Sequence, residues 1–367
     1  MKIAIDARII NSSTGRYVER LLHYLEELDT ANEYLVLVRT PDLGFYTPHN
    51  PRFQLVAADF ADYSLAEQVG LARLLYRLKP DLVHFCMPQQ PVFYTGTHVT
   101  TVHDVILLHT YNSDKNFIIY KIKQLIGRIV FYTIGRTSTH VLCPSQFTKD
   151  AYVHFAHINP DKVTVTHEGT DLAAVTPEPY APLDGAQFLL YAGQQSDYKN
   201  IRRLMQAHQE LRKQYPALLL VLVGRLSGKN GVPLQRNREW AGKQGYKGIV
   251  FTDFVPDQQL RWLYQHCATY IFPSLMEGFG LPGLEAMASG APVISSNATS
   301  LPEIYGDGAL YFNPYDVVDM TQKIDHVLRD ESLRKELITK GADVVKKYSW
   351  RHMAEQTLAV YNAALHQ

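Results

Sequence analysis

Short apolar runs alternate with amphipathic segments along almost the whole chain, and this alternation restricts the fold more than any other feature. In the first half the strand candidates are Lys2 to Ile5, Tyr34 to Val38, Gln54 to Ala57, Leu82 to Phe85, Val99 to Val102, Val141 to Leu142 and Val163 to Val165. Between them, Arg16 to Leu28 places Tyr17, Leu21, Leu25 and Leu28 on one helical face. Ser64 to Leu78 does the same with Leu65, Val69, Ala72 and Leu75. Apolar strands separated by helices predict a parallel sheet covered on both sides. The alternation pauses at 176–185, where Pro177, Pro179, Pro182 and Gly185 read as a linker. It resumes with Phe188 to Tyr191, Leu218 to Val223, Ile249 to Phe251, Thr269 to Phe272 and Val293 to Ser295. The chain closes with helical segments at about Asp316 to Arg329, Ser332 to Lys347 and Trp350 to Leu365. The predicted architecture is two doubly wound α/β domains with a cleft between them, residues 1–175 and 187–348, a linker at 176–186 and a final helix in 349–367. In such sheets ligands bind beyond the C-terminal strand ends.

A chain of 367 residues suits two domains, and 46% hydrophobic with 20% charged residues suits packed ones. Lys+Arg and Asp+Glu are both 36, and a chain without net charge is not a dedicated nucleic-acid binder. Cys86, Cys143 and Cys267 are far apart, each in or beside an apolar segment, and read as small core residues. The start, Met1 to Asp6, reads as a buried strand rather than a signal peptide. No stretch is long and apolar enough to span a bilayer, so a reducing cytoplasm is the expected location.

The run from Ser274 to Gly290 carries the most chemistry. It lies between two strand candidates. Pro282 suits the first position of a helix and Gly290 its C-terminal cap. Glycines before a helix start let a ligand approach free backbone N–H groups, which makes an anion site. Glu277 in the loop and Glu285 in the helix bracket that site. Carboxylates there repel a bare phosphate, but they suit a ligand that carries hydroxyls beside its phosphates, such as a sugar nucleotide.

The spacing of Glu277 and Glu285, seven residues between them, resembles the signature of the retaining glycosyltransferases of family four (glycosyl transferases group 1), which have the GT-B fold. Phe272-Pro273-Ser274, Ala291-Pro292-Val293-Ile294 and Ser300-Leu301-Pro302-Glu303 also fit. So do Ile5-Asp6-Ala7-Arg8 with Gly15-Arg16-Tyr17, and His103-Asp104. The resemblance covers nearly the whole chain. It implies that Glu277 contacts the donor sugar near its anomeric centre and that Glu285 holds the ribose hydroxyls. The backbone N–H groups of Gly278, Phe279, Gly280 and Leu281 would hold the sugar and diphosphate. It further implies that the loop ending at Gly15 closes over the phosphates, that His103 contacts the donor sugar, and that Asp104 orients His103 or meets the acceptor. The final helix would return to the first domain.

Lys199 follows the strand ending near Tyr191 and stands at a predicted helix start, where a cation is unfavourable unless it meets an anion. It is therefore the expected diphosphate contact. Many family members carry an Arg where this chain has Gln194, and Arg225 is the weaker candidate for a second cation. Ser13 or Thr14 is the expected N-cap of the first helix. No Asp-x-Asp pair occurs, which fits a metal-independent enzyme with no cofactor, using Lys199 and the helix start near Gly280 to stabilise the leaving diphosphate. The stretch Asn116 to Arg136 is apolar with scattered bases. It reads first as a core helix with a solvated face, and interfacial binding at the inner face of a membrane is the alternative.

The expected activity is hexosyl transfer to a glycan or lipid-linked acceptor in polysaccharide synthesis. The first block resembles bacterial mannosyltransferases, so GDP-mannose is the first donor and a UDP-hexose the second. A sugar-nucleotide epimerase and a non-catalytic sensor are the alternatives. A dinucleotide oxidoreductase is disfavoured, because Asp6-Ala7-Arg8 stands where its glycine turn belongs.

Overall fold

The computed structural model describes residues 1–367 apart from 13, 63, 110–116, 227–230 and 367; at 109 and 117–120 it describes the backbone alone. The chain divides into two compact units. The first comprises Met1–Leu108, Lys121–Glu168 and Ser349–Gln367, the second His109–Tyr120 and Gly169–Tyr348.

The first unit holds a seven-stranded parallel sheet ordered β3-β2-β1-β4-β5-β6-β7. Its strands are β1 Lys2–Asp6, β2 Glu33–Val38, β3 Phe53–Ala57, β4 Leu82–Phe85, β5 His98–Thr101, β6 His140–Cys143 and β7 Val163–Val165. The sheet is covered by α1 Gly15–Leu28, α2 Ala72–Leu78, α3 Ile106–His109, α4 Phe117–Thr137 and α5 Gln146–Ala156. The second unit holds a six-stranded parallel sheet ordered β10-β9-β8-β11-β12-β13, from β8 Phe188–Ala192, β9 Leu219–Val223, β10 Ile249–Thr252, β11 Thr269–Phe272, β12 Val293–Ser296 and β13 Ala309–Phe312. Its helices are α6 Ile201–Arg212, α7 Val232–Lys243, α8 Asp257–His266, α9 Leu281–Ala288, α10 Leu301–Tyr305, α11 Val317–Arg329 and α12 Glu331–Val345. The last helix, α13 Trp350–Leu365, belongs to the first unit, where it packs on α1 and its Arg351 meets Glu27 at 2.8 Å. In both sheets the order reverses at the first strand of the unit, between β1 and β4 and between β8 and β11. Such a switch point leaves a crevice at the C-terminal strand ends.

Burial follows the strands. Phe188 to Tyr191 and Tyr270 to Phe272 are all fully enclosed. The proline-rich stretch after Val175 lies in the second unit, with Leu183 in its core and Glu178 N donating to Gln258 O at 3.1 Å. Cys86, Cys143 and Cys267 are free thiols in the core.

Three local expectations are corrected. The strand β13, Ala309–Phe312, was not foreseen; it follows a short helical turn at Gly306–Gly308, and its two central residues are only partly buried. The predicted face of 64–78 is wrong at its start. Leu65 and Val69 are 84% and 46% exposed, while Glu67, Leu71 and Leu75 are buried. A wider π-helical turn at Glu67–Leu71 shifts the register, and the group it turns inward is a carboxylate paired with Arg8. Finally, α4 is less of a core helix than expected. Val130, Phe131 and Ile134 are buried, but Ile122, Leu125, Ile126, Ile129 and Tyr132 face solvent; Asn116 lies outside the described residues.

Candidate functional site

The second unit builds its site across the switch point. After β8 the chain turns at Gly193 and runs through a short helical turn, Asp197–Lys199, to Asn200, which has φ +60°. Asn200 Nδ2 donates to Pro273 O at 3.1 Å and Pro314 O at 2.7 Å, and Leu275 N donates to Tyr198 O at 2.7 Å. These bonds tie the loop after β8 to the loop after β11. The tie brings Lys199 Nζ within 2.6 Å of Glu277 Oε1, with the two side chains 12% and 10% exposed. The ammonium also lies 5.3 Å from the centre of the Phe272 ring and 5.2 Å from that of Tyr198. Burial alone depresses the Lys199 pKa, but Glu277 and the nearby tyrosines outweigh it and hold the group well above the ordinary lysine range.

Glu277 is fixed from behind. Its N–H donates to Thr299 Oγ1 at 2.9 Å, and Ser300 Oγ donates to its carbonyl at 3.1 Å. The loop then enters α9 through Gly280, at φ +102°. Tyr305 Oη donates to Gly280 O at 2.5 Å, and a Cβ at this position would lie 2.5 Å from that hydroxyl. Position 280 therefore requires glycine both for its dihedral and for its space. Gly280 is also the N-cap of α9 and has no side chain to cap the first-turn N–H groups, while Pro282 presets the first turn. Gly278 and Phe279 are buried beside Glu277, and Glu285 lies along α9 at 6% exposure. A cation, a carboxylate and a helix start with no capping side chain are thus close together. That set can hold phosphate oxygens and hydroxyls at once.

Arg225 is exposed, 5.7 Å from the centre of the Phe254 ring, and Asp253 caps the adjoining Leu226 and Phe254 N–H groups. Gln194 contributes its carbonyl, which accepts from Tyr191 Oη at 2.5 Å.

In the first unit, His103 lies just past β5. Its Nε2 is 2.9 Å from Cys86 O, its Nδ1 is 3.6 Å from Glu168 Oε1, and Tyr17 stands edge-on to its ring at 4.7 Å. Tyr17 Oη and His84 Nε2 both meet Thr101 Oγ1, at 3.0 and 2.7 Å. Burial first, then nearby His103, holds the His84 pKa down at about 3. Asp104 caps α3 by accepting from Ile106 N at 2.8 Å. Gly15 opens α1 with its N–H donating to Ser12 O at 3.0 Å, and a Cβ there would lie 1.8 Å from Ile10 O, so only glycine lets this loop close. Thr14 occupies the N-cap position without a side-chain cap bond, and Ser13 lies outside the described residues. The Asp6–Arg8 pair belongs to a buried network. Arg8 binds Asp6 through Nε at 2.8 Å and Nη2 at 2.7 Å, Glu67 at 3.0 Å, and the carbonyls of Phe60 and Gln89.

Among the described residues, no group of three or more His, Cys, Asp and Glu is placed to hold a metal ion, and no helix is long and apolar enough to cross a membrane. Sequence reasoning missed Glu168, Thr299 and Tyr305. Glu168 had the signal that His103 had, a polar side chain just past a predicted strand end. Thr299 and Tyr305 act only through the fold.

Residues 177–344 match the family described as Glycosyl transferases group 1, and residues 14–174 match Glycosyltransferase Family 4. Among curated proteins, the chain is 34% identical to O-antigen chain mannosyltransferase B of Escherichia coli over 233 residues, 60% of each. It is 35% identical to the serotype-specific mannosyltransferase WbdA of Escherichia coli over 185 residues, 49% of this chain and 22% of that one. The chain thus spans less than two thirds of either relative. Among solved structures, sucrose-phosphate synthase from Thermosynechococcus elongatus has TM-score 0.81 at 18% identity, with 99% of this chain and 98% of that one covered. Anabaena Alr3699/HepE in complex with UDP-glucose has TM-score 0.76 at 16% identity, with 99% and 100% covered. These likenesses show the fold, two α/β units of the GT-B type.

Proposed function

Because the chain belongs to the group 1, family 4 glycosyltransferases, we propose that it moves a hexosyl unit from a nucleotide diphosphate sugar to an acceptor hydroxyl, with retention at the anomeric carbon. The Lys199–Glu277 pair beside the start of α9 carries this reading. Lys199 has further N–H donors after meeting Glu277, so it can hold a diphosphate while the second Glu277 oxygen accepts from a sugar hydroxyl. The amides at Gly278, Phe279, Gly280 and Leu281 take the remaining phosphate and sugar oxygens, and Glu285 takes the ribose hydroxyls. Gly15 and His103, in the first unit, are assigned to the donor from the family likeness alone. Asp104 and Arg225 are secondary: one is engaged in capping α3, the other is exposed over Phe254.

In the reaction the anomeric C–O bond to the diphosphate breaks and a bond to the acceptor oxygen forms on the same face, through an oxocarbenium-like state. The acceptor proton passes to the departing phosphate oxygen. Glu277 is held by Lys199 and is a binding group, not a nucleophile. Lys199 and the α9 start carry the charge that builds on the leaving group, and activity is expected to persist with a chelator present.

The donor is proposed as GDP-mannose, with a UDP-hexose second. The support is that the Escherichia coli relatives are mannosyltransferases, one of an O-antigen chain. The product is placed in glycan or glycolipid synthesis at the inner face of a membrane. The exposed apolar stripe on α4, with Lys121, Lys123, Arg128 and Arg136 and no acidic residue in the helix, suits an anionic lipid surface. Co-flotation with anionic vesicles tests that placement, and protein left wholly in the bottom fraction refutes it.

A thermal-shift panel of GDP, UDP and their sugars tests the donor. A ligand at 100 times its Kd stabilises the fold by about 2.7 kcal/mol. Selective stabilisation by GDP and GDP-mannose is expected. No response to any nucleotide refutes the reading.

A further inference from the structure

An imidazole that works on a ligand needs a fixed ring, because its two nitrogens differ and a half-turn about the Cβ–Cγ bond exchanges each with a carbon. Two oxygens act on the His103 ring. The Cys86 carbonyl can only accept, so Nε2, 2.9 Å away, carries a proton and is occupied by that bond. Glu168 Oε1 stands 3.6 Å from Nδ1. Tyr17 closes one side, edge-on at 4.7 Å, and is itself held by Thr101. In the half-turned ring, carbons would face both oxygens and both polar contacts would be lost.

We infer that Glu168 is a positioning residue for His103, which with the Cys86 carbonyl selects the ring orientation that leaves Nδ1 beside a carboxylate and available to a sugar hydroxyl. The inference rests on the proposed role of His103 toward the donor. Glu168 is 8% exposed, and a carboxylate so buried is costly without a polar partner. At 3.6 Å the pair is too long for a direct hydrogen bond, and a water beside them that donates one hydrogen to each satisfies both. Glu168 stands past the end of β7 as His103 does past β5, so two strand ends of one rigid sheet set their separation.

The test uses the full chain labelled with ¹⁵N-histidine, with the His103 ring signals identified by their loss in His103→Gln. In Glu168→Ala the His103 ring nitrogens are expected to shift. Turnover should fall about tenfold or more with donor KM within about twofold, and Glu168→Asp should recover part of the loss. Glu168→Gln, which keeps the volume, serves if Glu168→Ala does not fold. His103 signals that stay in place in the folded variants overturn the inference, whatever happens to turnover. Shifted signals in a protein that turns over no nucleotide sugar uphold the positioning role and refute the transferase reading instead.

Discussion

Lys199 and Glu277 are buried together, and burial sets what each substitution does. Removing one partner strands the other charge, so Lys199→Met should destabilise the second unit by about 3–5 kcal/mol. Adding Glu277→Leu should recover most of that loss, as urea unfolding would show. A double variant no more stable than the single one would mean that the ion pair is not what the site depends on. The Lys199 pKa is raised, so the stability it contributes is present below the ordinary value of 10.5 and is lost only as pH climbs through the raised one. Lys199 should therefore stay charged up to pH 10, and the donor KM should not rise through loss of its proton below that pH. His84 behaves in the opposite sense. Unfolded, its imidazole takes a proton near 6.5; folded, only at about 3. Between those values the unfolded chain binds more protons, so stability is lost as pH falls, by up to about 1.4 kcal/mol per unit. Urea unfolding at pH 7 and pH 5 should show this slope, and His84→Gln should flatten it. A slope unchanged in that variant would count against a neutral buried His84.

At the scale of elements, the buried network around Arg8 explains why the first β-strand ends in an acid with a base two residues on. Glu67→Ala should cost about 3–5 kcal/mol, measured by urea unfolding, because Arg8 keeps its burial but loses a carboxylate. Loss of less than about 1 kcal/mol would show that Asp6 suffices alone. The same segment marks the limit of the sequence reading. All seven strands of the first sheet were legible, since each is a short apolar run between polar or helical segments. The face of 64–78 was not, because a π turn adds a residue that no 3.6-residue period reports, and because a buried Glu looks exposed until its Arg is known. Lys199, Glu277 and Gly280 lie near one another at strand ends and a helix start, as their residue types suggest, and Glu285 is buried further along α9. That Lys199 and Glu277 pair was not legible, since the pairing comes from Asn200 and Leu275 bonds between two loops far apart in sequence.

At the scale of the molecule, the C-terminal helix is part of the first unit's architecture. Met353, Ala354, Thr357 and Tyr361 of α13 are fully buried, and Tyr361 Oη meets His84 Nδ1 at 2.5 Å. Ending the chain at Ser349 should therefore expose α1 and unfold the first unit before the second, seen as a new low-temperature step in calorimetry. A single unchanged transition would contradict that. Glu277 is proposed as a binding carboxylate in a unit that grips a nucleotide sugar. Its most direct test is release of nucleoside diphosphate from GDP-mannose or a UDP-hexose by wild type and Glu277→Gln, with circular dichroism to confirm folding. The prediction is a fall in turnover of about a hundredfold in a folded variant; near-normal turnover would contradict it.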